Sequence, residues 1–474
     1  RSARPRGEAR RVAVVSFTAV VLVALAVVTA SSSAQPGAGP APSAALVGLT
    51  AESAAAFCGG LEHVAGVVAS DVAVADLSAA PRTLEVTTTD DVGRHSVREV
   101  GVSPGHVVHL DPAALLVGGS VDAMSIVASG GDVAASEAIR GVDGTAVAPC
   151  LTEAEPTWWL TGGSTVRGQS FVVSIYNPYA SQAIVTASYV TPSLSGYESV
   201  RSLDQAVLGP YQEVGLSMHD VAPDESPVSV EVQTTAGAVV VYGVQRSTKG
   251  KQDVALLPGT PAPSTDTFVP LLHTGAATRS LLTLTNTTIT PITATVRLGT
   301  ALGCGPRCPA PLSESVGPDL TTFLNVGSIS RAAKASATLG AEVVSDTPGL
   351  VVAQRTDTLS SQGQASTLAD PTGRGADELV LVDPIGSRFD DLGVVNPSGA
   401  PVRVELVTVL AHGTRPVHRP VLVLAHSSLA VAGRALHGVV GGVVLLEAAG
   451  PVLASADVHG TVPGAGLLVA VPAG

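Results

Sequence analysis

The sequence predicts an all-β protein: tandem immunoglobulin-like β-sandwich repeats that follow one N-terminal transmembrane or signal helix. Three observations carry this reading. Runs of five to eight residues rich in Val, Thr and Leu recur along the chain, often alternating apolar and polar, and each is broken by Gly, Pro, Ser or Asn. Short strands at such spacing fit sandwiches rather than βαβ units. A set of landmarks also repeats, with its key Asn residues 109 and 110 positions apart. Near the N-terminus stands a single long stretch without charge.

That stretch comes first in chain order. Five arginines (Arg1, Arg4, Arg6, Arg10 and Arg11) precede nineteen uncharged residues, Val12 to Ala30, dense in Val, Ala and Leu. A helix of that length spans about 28 Å, close to the hydrocarbon core of a bilayer. The basic flank stays on the cytoplasmic side and the rest of the chain lies outside. Val12–Ala30 therefore reads as the membrane partner, an uncleaved anchor. Ser32-Ser33-Ala34 offers the alternative of a cleaved signal and a secreted body. Residues 31–50, made of Ser, Ala, Gly and Pro, read as a flexible tether.

Beyond the tether the repeats begin. Phe171-Val-Val-Ser-Ile-Tyr-Asn177-Pro178, Leu281-Leu-Thr-Leu-Thr-Asn286-Thr287 and Leu392-Gly-Val-Val-Asn396-Pro397 share a strand-like run ending in Asn. That residue suits a turn because it tolerates left-handed geometry and caps nearby amides. Gly237-Ala-Val-Val-Val-Tyr, Gly349-Leu-Val-Val-Ala-Gln and Gly450-Pro-Val-Leu-Ala-Ser follow their Asn by 60, 63 and 54 residues. Val72-Ala-Val-Ala-Asp76 and Gly131-Asp-Val-Ala-Ala form a fainter copy in the same order, 55 residues apart. The expected division is 1–30 tip and anchor, 31–50 linker, and units over 51–150, 151–256, 257–360 and 361–474. Pro258–Pro263 and Gln362–Asp377 read as linkers, and only Ala51–Phe57 and Ala113–Leu116 as short helical turns.

Four cysteines, Cys58, Cys150, Cys304 and Cys308, form an even set that suits an oxidising compartment. Three pairings are open; the parsimonious one joins Cys58 to Cys150 and Cys304 to Cys308. No cofactor or metal is expected. His106 and His109 lie three apart on a strand and point to opposite faces. His412, His418, His426 and His437 spread over a hairpin, and Asp90-Asp91 and Asp390-Asp391 lack calcium-loop spacing. The chain has no G-x-S-x-G, H-E-x-x-H, Walker A or G-x-G-x-x-G signature, and we expect no enzyme. A net charge of −13 without a basic cluster past the N-terminus excludes nucleic acid as a partner. Asn286-Thr287-Thr288 matches a glycosylation sequon, but it falls on the turn Asn, which explains it.

In a chain with 3% aromatics, Trp158-Trp159 is the conspicuous local feature. Two roles compete: plugging the seam between sandwiches, or stacking on a sugar or partner protein. With Trp158-Trp159-Leu-x-Gly162-Gly163, Tyr176-Asn177-Pro178 and Gly237-Ala-Val-Val-Val in place, the chain resembles an uncharacterised family of exported, β-rich actinobacterial envelope proteins with one N-terminal membrane helix. The resemblance implies an envelope location and, as a partner, a neighbouring membrane glycosyltransferase; it brings no catalytic residues. The sequence therefore points to a non-enzymatic, membrane-anchored extracytoplasmic scaffold or binding protein that serves glycan assembly or export. The alternative is a carbohydrate-binding or adhesion protein using Trp158 and Trp159.

Overall fold

The computed structural model describes residues 53–472 apart from 62–65, 91, 117–120, 250–253, 274–277, 300–309, 327–337, 359–362, 369–375, 386–388, 410–416, 437–441, 459–466 and 470. The chain divides into two units, Arg1–Val47 and Gly48–Gly474. The first, with the expected Val12–Ala30 helix and most of the tether, lies outside the described residues. Among the described residues no helix is long and apolar enough to cross a membrane.

The second body is all-β and built from antiparallel sheets. Its first repeat has eight strands: β1 (Ser53–Gly59), β2 (Ala69–Asp76), β3 (Arg82–Thr89), β4 (His95–Val102), β5 (Val107–Leu110), β6 (Ala123–Ser129), β7 (Val133–Arg140) and β8 (Thr145–Pro149). They form two sheets, ordered β1-β6-β3-β4 and β5-β2-β7-β8. β3 shows why: Leu84 and Val86 are buried while Thr83 and Glu85 are exposed, so one face turns inward. Leu84, Val86, Met124 and Ile126 from one sheet meet Val72, Val74 and Ala135 from the other in a single core. Each fully buried Leu or Ile there contributes roughly 1.5–3 kcal/mol. The helical turn expected over Ala51–Phe57 is instead strand β1 from Ser53 on. Its Ala and Phe residues pair in register with β6, and this tertiary pairing overrides the helix propensity of alanine.

The same strand order recurs three more times. In repeat two the sheets run Thr157–Gly163, Val228–Ala236, Ala183–Val190, Glu198–Ser199 and Glu213–Ser217, Gln169–Tyr176, Val240–Ser247, Val254–Pro258. In repeat three they run Asp266–His273, Thr338–Ser345, Ile292–Gly299, Leu312–Val316 and Thr321–Asn325, Thr278–Asn286, Leu350–Thr358, Gly363–Leu368. Repeat four departs in one respect. A single sixteen-residue strand, Val443–Val458, does the work of both β6 and β7, pairing with Ala376–Val382 and Val402–Val409 in one sheet and Phe389–Asn396 in the other. Repeats two and three turn between those two strands at Gly237 and Gly349, both at positive φ. At Gly237 a Cβ would also press within 3.1 Å of the Ala183 backbone.

Two segments expected as linkers are tied into the sheets. Pro258 ends a strand, Thr260 bridges Trp159, and Ser264 bridges Leu350. Gly363–Leu368 pairs with Leu350–Thr358 of repeat three, past residue 360. These last strands also bring the repeats together. β8 lies against Val254–Pro258, which lies against Gly363–Leu368, which lies against Leu467–Val469, which returns to β8. The four closing strands thus make a closed cycle of neighbours.

The landmark Asn holds each sandwich at one corner. Asn177, Asn286 and Asn396 are buried at the end of the strand equivalent to β2. In Asn286 the Nδ2 donates to the carbonyls of Thr290, Val316 and Gly317, and Oδ1 accepts from the Thr288 amide and hydroxyl. Asn396 repeats this with Ala400, Val423, Leu424 and Ser398. Asn177 bonds Ser181, Gly209 and Tyr179 in the same way. One side chain therefore ties its own turn to the point where the chain leaves the fourth strand. In repeat one Asp76 takes this place. Its Oδ1 accepts from the Ser78 amide and hydroxyl, but its buried Oδ2 has no hydrogen-bond partner. Asp76→Asn supplies the donor the other repeats use and is expected to stabilise repeat one by about 1 kcal/mol. Asn286→Ala strips buried carbonyls of their donor and is expected to destabilise repeat three by about 2–4 kcal/mol. Hydrogen exchange of the flanking strand amides under increasing urea checks both.

Candidate functional site

Strand register separates the two tryptophans. Trp158 is 2% exposed, packs in the core of repeat two, and donates from Nε1 to the Val239 carbonyl at 2.6 Å. Gly259 makes room for it, since a Cβ there would lie 2.7 Å from the indole. Trp158 thus neither plugs a seam between sandwiches nor offers a face to a ligand. Its place as a binding residue is corrected to one in the core. Trp159 is half-buried and points to the opposite face of the sheet, the face it shares with Thr161.

That outer face meets repeat three through hydroxyl groups. Thr161 Oγ1 lies 2.6 Å from Ser229 Oγ and 2.5 Å from Thr285 Oγ1, and Ser229 and Thr285 each reach Thr321 Oγ1 at 3.0 Å. All four are buried. Each hydroxyl both donates and accepts, so the cluster satisfies itself without charge. It also fixes the two sheets at one register, which an oily contact would not.

The seam between repeats one and two is built around Tyr242, five residues past the Gly237 landmark. Its Oη donates to the Phe57 carbonyl at 2.8 Å and accepts from the Leu151 amide at 2.8 Å. Gly59 is needed there, because a Cβ would lie 2.7 Å from the Tyr242 ring. Beside it Cys58 and Cys150 form a disulfide across 92 residues, a loop closure of about 4–5 kcal/mol on the chain-entropy argument. Glu137 lies fully buried in the same place. Burial pushes its carboxyl well above the usual range, and the Gly59 backbone amide offsets part of this. The Tyr242 phenol is pushed up in turn by burial and by Glu137. Tyr176, on the next strand, is raised to about 12 by burial, which outweighs the opposing influence of the Ser125 and Thr89 side chains of repeat one.

Donor atoms of Cys58, Glu137 and Cys150 lie within 4.8 Å of one another. With both sulfurs in the disulfide they offer no thiolate, and the carboxyl is held toward its neutral form, so the trio is not suited to a metal. Cys304, Cys308, His412 and His437 lie outside the described residues. His106, His109, His418 and His426 are exposed and dispersed. His418 comes within 3.8 Å of Glu405 across one strand pair. Asp90 is buried and serves its own turn, accepting from the Val92 and Arg94 amides and from Arg94 Nε. Asn286, the sequon residue, is 0% exposed and hydrogen-bonded throughout, so it presents no glycan acceptor in the folded body.

The remaining seams are apolar and close. Ala73, Ala75 and Ala134 of repeat one pack on Val380, Val382 and Val443 of repeat four, and Ser136 Oγ donates to the Val382 carbonyl at 2.7 Å. Phe268 of repeat three packs with Val395 and Leu453 of repeat four.

Comparison with known proteins leaves the chain without a family: no family model and no curated protein matches it. Solved structures show weak likeness. The crystal structure of Thermotoga maritima 1070 is 14% identical and has a TM-score of 0.20, covering 23% of this chain and 96% of that one. A tetra-tandem repeat from the extending region of a large adhesion protein is 13% identical with a TM-score of 0.11, covering 88% and 98%. The BSP domain of a biofilm-associated protein is 8% identical with a TM-score of 0.13, covering 85% and 89%.

Glu137 makes stability depend on pH with a definite sign. Its folded carboxyl binds its proton more tightly than the unfolded one, whose ordinary value is 4.5. The stability this confers is complete below that value and is lost as pH rises toward the raised one. Glu137→Gln should therefore gain on the parent protein as pH rises above 4.5, read from thermal midpoints across a pH series. Tyr242→Phe leaves the seam without its hydroxyl, at a cost of about 1–3 kcal/mol, and should speed hydrogen exchange at the Leu151 amide.

Proposed function

We propose that this chain is a non-enzymatic extracytoplasmic protein of the cell envelope. Val12–Ala30 anchors it, and four immunoglobulin-like sandwich repeats form one rigid platform that binds or scaffolds other envelope components. The observation that carries this reading is the closed cycle of last strands, which fixes every repeat against two others. Such a body presents its loops and outer sheets at constant distances, which suits holding partners rather than closing on a substrate. The buried Cys58–Cys150 disulfide supports an oxidising compartment. The resemblance carried by Trp158-Trp159-Leu-x-Gly162-Gly163 supports the envelope location and a membrane glycosyltransferase or glycan exporter as the partner.

A second reading, a carbohydrate-binding or adhesion protein, is favoured by Trp159 alone, which stands half-buried on an outer sheet face while Trp158 does not. Two measurements test the first reading. Solution scattering of residues 48–474 should give a radius of gyration of about 22 Å, as for one compact domain of that length; an open string of four sandwiches would give roughly twice that and remove the platform. Crosslinking in native membranes should recover an envelope glycosyltransferase or transporter, and repeated recovery of neither would reject the accessory role.

A further inference from the structure

Strand register explains why Glu137 stands beside the Cys58–Cys150 disulfide. Glu137 lies on β7 opposite Ala148 of β8, and the Cys150 amide donates to the Ala135 carbonyl, which brings Cys150 level with Ala135. Alternate residues share a face, so Glu137 and Cys150 are on the same side of their sheet. Cys58 reaches this side from β1 of the facing sheet. A carboxyl oxygen of Glu137 and the two sulfurs lie within 4.8 Å of one another. Ala135 and Cys150 belong to the core of repeat one, while Ile139 and Ala148 pack with Val244 and Leu256 of repeat two. Glu137 therefore sits where that core ends and the seam begins.

The position is a costly one for a carboxyl group. Neither oxygen has a hydrogen-bond partner of good geometry, and the residue is wholly buried. Its neighbours across the sheet, Val72 and Ala148, carry no charge. From repeat two it is faced by the Tyr242 phenol, whose oxygen is already engaged by the Phe57 carbonyl and the Leu151 amide. An apolar side chain of similar size would avoid the cost of burying an ionisable group. What a carboxylate offers here and an apolar group does not is a proton acceptor beside two sulfurs.

We infer that Glu137 accepts the proton released when the Cys58–Cys150 disulfide closes, before repeat two covers the pair. A thiolate, not a thiol, attacks a disulfide, and apolar surroundings hold a thiol in its protonated form. As β1 and Cys150 meet in the core of repeat one, closure therefore needs a base at hand. The oxidant is an exchangeable disulfide, that of glutathione or of a thiol oxidoreductase. In the first exchange one cysteine sulfur bonds to a sulfur of that disulfide, and the other sulfur leaves as a thiolate that takes up the cysteine's proton. In the second, the remaining thiol gives its proton to the Glu137 carboxylate and its sulfur bonds to the partner cysteine. The mixed S–S bond breaks, and its electron pair departs with the second thiolate. The two cysteines lose two electrons, the external disulfide gains them, and one proton stays on Glu137. Tyr242 then docks over Gly59, and burial keeps the carboxyl neutral.

The full chain, reduced and unfolded, is diluted into a glutathione redox buffer at pH values from about 6 to 9 and quenched with acid at intervals. Peptide mass mapping follows the conversion of glutathione adducts at Cys58 and Cys150 into the internal disulfide. Glu137→Gln is expected to slow this conversion about tenfold or more at about pH 6, and progressively less toward pH 9, where thiols ionise unaided. The variant gains stability over the parent above pH 4.5, so slower closure does not report a weakened fold. Equal or faster closure in the variant at about pH 6 overturns the inference. So does slowing by one constant factor at every pH, which a change of packing alone would give. Neither outcome bears on the scattering or crosslinking tests of the platform.

Discussion

The strand equivalent to β8 in every repeat pairs with its own sheet and also lies against its counterparts in two other repeats, so no repeat can shift without moving its neighbours. This closure sets the demands on everything around it. Sheets must approach closely at four seams, and each seam needs a device that fixes register as well as distance. The molecule uses a tyrosine hydroxyl shared between two backbone groups at one seam and a self-satisfied cluster of four hydroxyls at the next. At the other two it uses apolar side chains, alanines and valines at one and Phe268 with Val395 and Leu453 at the other, with one serine reaching a backbone carbonyl.

Closure also accounts for the composition. At the closest approaches between sheets of different repeats, glycine and alanine leave the room. Gly59 lies under Tyr242, Gly340 under Ser428 and Gly393 against the Pro270 carbonyl, each too close for a Cβ. Ala73, Ala75 and Ala134 line the seam to repeat four. The few aromatics stand at special points: Trp158 and Phe171 inside repeat two, Tyr176 and Tyr242 where it meets repeat one, and Phe268 between repeats three and four.

Much of the fold was legible in the chain before any coordinate. Period-two runs, the Asn at each strand end and the Gly landmarks mark strands and turns because local backbone chemistry demands those residues there. What stayed hidden depends on relations between repeats. Nothing local distinguishes Val254–Pro258 or Gly363–Leu368 as strands that face other repeats, and a run rich in Pro or Gly and Ser reads as a spacer. Trp158 and Trp159 look equivalent until register shows that neighbours on a strand face opposite ways. Tyr242 could have been noticed as the one aromatic closing a Gly-Ala-Val-Val-Val run, but its target, Gly59, is almost two hundred residues away. Glu137 carries no local sign of burial at all.

Repeat four completes the cycle with Leu467–Val469. Each earlier sandwich can collapse on local contacts as it emerges, but the cycle stays open until Leu467–Val469 has emerged. The contact that shuts it, Leu467–Val469 against Thr145–Pro149, spans more than three hundred residues, the kind of distant contact that makes assembly slow. An incompletely emerged chain therefore exposes the flanks of Thr145–Pro149 and Gly363–Leu368, edges able to pair with a second chain. Removal of Leu467–Val469 should for that reason be felt first as aggregation, before any single sandwich is lost.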